Sequence, residues 1–159
     1  MKKLLLLVSA VALLSGIAQA QNPIPKGTKN LNAGFGLGAY SVPVYFGMDF
    51  GIGYDLSVGF ETAFQDRADH YTAWSFAGNC NYHFNRILNI PRNFDFYAGG
   101  SINAVAYKYD HDYVDRETGL FPGIQVGGRY FFTPNFGINA EFRGGDILSG
   151  GKFGVTFKF

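Results

Sequence analysis

Eight charged residues stand where their type and spacing permit chemistry: Asp49, Glu61, Asp95 and Glu141, with Arg129, Arg143, Lys152 and Lys158. Each occupies the polar phase of a stretch in which apolar residues recur at every second position. In a strand, residues at i and i+2 share a face, so all eight are expected to project into one enclosed space. Acids and bases confined together suit two roles. One is an ion-paired gate across a narrow conduit. The other is a self-neutralised plug that holds strands in register, and it is favoured because an eight-stranded interior is just wide enough to be filled by side chains. Asp49 and Glu61 are expected nearly opposite one another across a turn at Asp55, where like charges are destabilising unless cations approach. Arg129, Glu141 and Arg143, at similar depth on adjacent strands, are expected to form a network with Lys158.

Other candidates are weaker. The stretch Asp110-His111-Asp112-Tyr113-Val114-Asp115-Arg116-Glu117 is dense in carboxylates, which suits a weak calcium or surface-ligand site. It lacks the spacing and the glycine of an EF-hand loop, and a solvated connection explains it better. Hydrolytic chemistry needs a nucleophile beside a base. His70 with Asp69 and His111 with Asp110 supply bases, and Ser41, Ser75 and Ser149 supply hydroxyls, but no spacing links them. G-x-S-x-G, H-E-x-x-H and C-x-x-C are absent from the chain. His83 falls in a polar phase and is expected to hydrogen-bond to Asn neighbours. Cys80 stands alone, so no intrachain disulfide forms, and in the apolar phase it reads as a small hydrophobe. The expectation is a protein that is not an enzyme, with no cofactor and no metal.

The elements that position these residues are read from the same alternation. It runs through eight segments, at about 31–39, 44–54, 56–64, 74–84, 94–106, 120–130, 136–143 and 152–159. Each is about ten residues, the length of a tilted membrane-crossing strand. Tyr54-Asp55-Leu56 and Thr133-Pro134-Asn135 read as tight turns. The links at 65–71, 107–118 and 145–150 are longer and polar. Asn85 to Asn93 departs from this order: it falls on the short-turn side, yet it is long and carries Ile87, Leu88 and Ile90.

The composition decides which face is inside. Charged residues are 16% of the chain, against about a quarter in soluble domains. The polar phase is dominated by Gly, Asn, Ser and Ala, where a water-facing surface would carry far more charge. The apolar phase, summed over eight strands, far exceeds the few hundred Å² of patch that a soluble monomer tolerates. Lipid is the remaining place for it. Unpaired backbone groups in hydrocarbon cost several kcal/mol each, so the last strand is expected to pair with the first. The fold expected is all-β: an eight-stranded antiparallel up-and-down transmembrane β-barrel.

The N-terminus carries Met1-Lys2-Lys3, an apolar run from Leu4 to Leu14 and Ala18-Gln19-Ala20. These are the three parts of a cleaved secretory signal, so residues 1–20 are expected to be removed. Residues 21–29 read as a poorly ordered lead, and 30–159 as the barrel domain. No strongly basic patch remains, which argues against nucleic acid as a partner.

With a signal peptide, eight amphipathic strands and a C-terminal stretch KFGVTFKF that alternates Phe and polar residues up to Phe159, the chain resembles the small outer-membrane β-barrels of Gram-negative bacteria, the class of OmpX and the OmpA transmembrane domain. The resemblance covers about Asn30 to Phe159. It implies an outer-membrane location with lipid around the barrel and both mature termini in the periplasm. It also implies that the barrel-assembly machinery reads Gly154, Val155, Phe157 and Phe159. The resemblance is specific for architecture and nearly silent on function; the function expected is that of a small closed barrel with a structural or surface-interaction role, toward a ligand that the sequence does not name. A narrow channel for small solutes is the alternative, a soluble periplasmic lipid-binding barrel is the third reading, and a lipid-modifying enzyme ranks below these.

Overall fold

The computed structural model describes residues 22–37, 42–67, 71–109, 119–145 and 149–159. Eight strands follow in chain order: β1 (Lys29–Leu37), β2 (Val44–Gly51), β3 (Leu56–Arg67), β4 (Tyr71–His83), β5 (Phe94–Tyr109), β6 (Gly119–Phe131), β7 (Phe136–Gly144) and β8 (Gly150–Lys158). Each pairs antiparallel with its neighbours, and β8 returns to β1, so the sheet is a closed barrel. The seam runs from Asn30 opposite Lys158 to Leu37 opposite Gly151. Beyond it, Lys29 and Phe159 exchange two backbone hydrogen bonds of 2.9 Å. Closure leaves no edge for hydrocarbon to meet.

The alternation has the expected sense. Phe46, Phe60, Phe76, Ile102, Ile124, Phe142 and Phe153 are exposed on the outside, while Tyr45, Ala63, Ala73, Ala77, Tyr97 and Val105 are buried inside. Cys80 is on the outer face and exposed there, not buried as a small core residue would be. At the seam the lumen is tight: Gly34 pairs with Gly154. A Cβ on Gly34 would overlap the Phe153 carbonyl, and one on Gly154 would overlap the Ala33 carbonyl and crowd the Tyr45 hydroxyl. Small residues here make room for Tyr45, which reaches over from β2 on the other side of β1.

The short links form as the turn residues suggest. After β2 the chain reverses through residues 52–55, with Ile52 N donating to Leu56 O at 3.0 Å. After β6, Thr133 Oγ1 accepts from Phe136 N at 3.0 Å, and Thr133 N donates to Phe136 O at 3.2 Å. The long connection 85–93 begins with one helical turn, α1 (Asn85–Leu88), which ends where Asn89 takes φ 54°.

The lead is ordered from Asn22 onward, contrary to the expectation. Ile24 is fully buried. Gly27 N donates to Gly51 O and Gly51 N to Thr28 O, both at 2.9 Å. Asn22 Nδ2 donates to Tyr54 O at 2.9 Å. Residues 22–28 thus cross the end of the barrel at which the short turns lie. Gly51 permits this, since a Cβ there would overlap the carbonyl of Pro25.

Candidate functional site

The lumen holds two ion-paired layers. In the layer nearer the short turns, Arg129 on β6 donates from Nη1 to Asp95 Oδ2 on β5 at 2.7 Å and from Nη2 to Asp49 Oδ2 on β2. Asn32 Nδ2 adds a second donor to the same Asp49 oxygen at 2.9 Å. The other Asp95 oxygen lies 2.7 Å from His83 Nδ1, and His83 Nε2 lies 2.9 Å from Ser57 Oγ. An ionised carboxylate only accepts, so His83 donates from Nδ1 to Asp95. In the second layer Arg143 Nη1 on β7 meets Glu61 Oε1 on β3 at 2.7 Å, and Lys152 Nζ on β8 lies 2.5 Å from Glu61 Oε2 and 3.0 Å from Glu141 Oε1. Tyr97 joins the layers: its hydroxyl donates to Glu141 Oε2 at 2.7 Å, and Arg129 Cζ lies 4.3 Å from its ring centroid.

Seven of the eight expected charges belong to this network. The eighth, Lys158, does not join Arg129, Glu141 and Arg143. It sits near the lead, with Nζ 3.3 Å from Pro23 O and 4.4 Å from the Phe131 ring centroid. Lys152 takes the expected role, because at its last residue β8 meets the lead and not the lumen acids. Asp49 and Glu61 are not opposed either. Asp49 pairs with Gly59, and Glu61 with Gly47, so the register is offset by two residues and each acid answers its own arginine. His83 does not pair with asparagines; it bridges Ser57 and Asp95.

Tyr45, Asn32, Ser57, Tyr97 and Gln125 take part although the charge pattern did not single them out. All lie in the polar phase, and that periodicity is the signal that could have found them. Tyr45 Oη donates to Asn139 Oδ1 at 2.5 Å, and Gln125 Nε2 to Asn81 Oδ1 at 2.7 Å. The remaining space among Asp49, Glu61, Tyr97, Arg129, Glu141 and Lys152 is a cavity of about 10 Å³, room for about one water.

The chemistry available is limited by burial. Ser57, His83 and Asp95 have the connectivity of a nucleophile, base and orienting acid. All three are fully enclosed, and Arg129 occupies the second Asp95 oxygen. Ser41, Asp69, His70 and the stretch 110–117 lie outside the described residues. Ser75 is buried on β4, and Ser149 accepts from Gly145 N at 3.0 Å. Among the described residues, no group of three or more His, Cys, Asp or Glu is placed to hold a metal ion.

A closed up-and-down barrel with an apolar outside and an ion-paired inside is a transmembrane β-barrel. The chain belongs to the outer membrane protein beta-barrel domain family, which it matches over residues 6–159. Among solved structures it is similar to the N-terminal β-barrel domain of Pseudomonas aeruginosa OprF, with a TM-score of 0.62 and 17% identity, over 84% of this chain and 98% of that one. It is similar to Neisserial surface protein A, with a TM-score of 0.55 and 13% identity, over 82% of this chain and 93% of that one. The Yersinia pestis attachment invasion locus protein Ail, in complex with the heparin analogue sucrose octasulfate, aligns with a TM-score of 0.53 and 14% identity, over 84% and 99%. At these identities the likenesses speak to fold alone. No curated protein sequence matches the chain.

Proposed function

We propose that this protein is a filled, non-conducting outer-membrane barrel with a structural or surface-interaction role. The observation that carries this reading is the cross-lumen ion pairing, which leaves a cavity of only about 10 Å³. Two further features support it. Ala63, Ala73 and Val105 are buried toward the end remote from the short turns, and Ile24 is buried at the other, so apolar side chains bracket the charged layers. The test is liposome swelling and planar-bilayer recording with the purified protein. Solute-selective swelling or stable single-channel steps would favour the narrow channel instead.

Three assignments belong to the same reading. The signal is removed after Ala20, both mature termini are periplasmic, and the assembly machinery reads Gly154, Val155, Phe157 and Phe159 at the seam. In support, Val155, Phe157 and Phe159 point outward while Gly154 sits inside against β1. Ail is crystallised with a sulfated sugar analogue. In this chain the stretch 110–117 carries Asp110, Asp112, Asp115 and Glu117, which would repel such a polyanion, so a surface ligand here is neutral or cationic. The protein acts without enzyme chemistry in this reading. A fluorophosphonate probe leaves Ser57 unmodified in the folded protein, and labelling lost in Ser57→Ala would reopen the enzyme alternative.

A further inference from the structure

The connection between β4 and β5 exposes an apolar pair that neither the lumen nor its seal uses. α1 is a single turn, yet it is pinned from within. Asn85 is fully buried, donates from Nδ2 to Phe94 O, and accepts from Phe96 N at 3.2 Å. Leu88 N donates to Phe84 O and Ile90 N to Asn85 O, each at 2.9 Å. The turn is a rigid platform, and it holds Ile87 at 65% and Leu88 at 55% exposure. Arg86 and Arg92 line the recess at the barrel mouth with Lys26 and Lys158, and Ile87 and Leu88 do not. Arg86 is further held by Asp55 and lies 5.9 Å from the Tyr54 ring centroid. The connection therefore turns Arg86 and Arg92 to the mouth, while Ile87 and Leu88 are exposed outside its lining. Directly before it, Phe84 packs edge-on against Tyr82 at 5.0 Å and against Phe96 at 5.7 Å, in the outward-facing belt.

We propose that α1 is an interfacial foot: Ile87 and Leu88 lie in the headgroup–acyl boundary of the leaflet at the short-turn end, with phospholipid as their occupant. This rests on the membrane reading given above. The pair follows Phe84 of the lipid-facing belt by three and four residues, just past the last hydrogen-bonded rung of β4 and β5, so its exposed apolar surface lies at the margin of the belt. An apolar side set against a cationic one is the arrangement that lies in a bilayer interface. Arginine stems keep their heads toward water while the aliphatic pair enters the lipid. The foot also accounts for a connection longer than its position on the short-turn side requires.

The test uses the full chain folded into phosphatidylcholine bilayers, with and without bromines high on the acyl chains. Trp74→Phe removes the single tryptophan. Leu88→Trp, Phe60→Trp in the belt and Lys26→Trp at the mouth are then compared in that background. The expected result is blue-shifted emission for Leu88→Trp and quenching by shallow bromines at least twofold stronger than for Lys26→Trp. Water-like emission and no quenching for Leu88→Trp, with Phe60→Trp still quenched, would overturn the foot and leave the membrane reading standing. Failure of Phe60→Trp to quench would overturn the membrane reading itself.

Discussion

Arg143 on β7 lies 2.7 Å from Glu61 on β3, four strands away around an eight-stranded barrel. Arg129 on β6 and Asp49 on β2 are related in the same way. Two diametric ion pairs at successive depths cross the lumen from wall to wall. Pairing of this kind does more than neutralise charge, because each pair ties strands that share no backbone hydrogen bond.

Glu61→Ala removes the carboxylate that Arg143 and Lys152 share. Breaking one partner of a buried pair costs about 3–5 kcal/mol. The expected outcome is a lower urea midpoint for the folded, heat-modifiable gel form, with bilayer conductance still near zero. Glu141→Ala is expected to behave likewise, somewhat more severely, because Tyr97 also loses its acceptor. A stable folded variant with clear single-channel current would contradict the filled-lumen reading.

Arg129→Met strands two acids, Asp49 and Asp95. It is expected to be more damaging than Asp49→Asn, which still leaves Arg129 with Asp95. Adding Asp49→Asn to Arg129→Met should recover part of the loss, since an amide needs no counter-charge. Equilibrium unfolding of the two single variants and the double variant forms a cycle, and strict additivity would show that the pair is not coupled.

Gly154→Val should block closure. Its Cβ overlaps the backbone of β1 and crowds Tyr45, and neither can retreat without opening the seam. The fast-migrating folded band on an unheated gel is expected to disappear. Gly78 faces outward with nothing within 4 Å of a Cβ, so Gly78→Ala should be neutral or stabilise by about 0.5–1 kcal/mol through reduced chain entropy. Equal loss in both variants would mean that glycine content, not the lumen, sets the limit.

Gly51→Val should displace the lead and spare the barrel wall, because the clash is with the Pro25 carbonyl. Trypsin then cleaves after Lys26 in the folded variant much faster than in the parent protein. Cleavage at the same rate in both would show that residues 22–28 do not seal the mouth.

Much of the fold is legible along the chain. Asp49 between Met48 and Phe50, or Glu141 between Ala140 and Phe142, declares its face by its neighbours, and eight such segments imply closure. The site is legible only in part. Asp49 and Glu61 both read as lumenal, but their separation depends on a two-residue offset across the turn at Asp55, which local pattern leaves open. His83 gave no hint of Ser57 or Asp95, because its partners arrive from β3 and β5 once register is set. Residues 21–29 read as a poorly ordered lead, since nothing in a Pro- and Gly-bearing stretch announces that Gly51 has cleared a place for residues 22–28.

Period-two alternation determined the strand count, and the scarcity of charge in its polar phase determined facing and the medium around the barrel, because side-chain direction in a strand is a local geometric matter and burial must follow it. Which acid meets which base, and what closes each end, was decided only when the sheet curled shut. Diametric neighbours are set by the register and stagger of the whole cylinder, and no short window of residues contains that information.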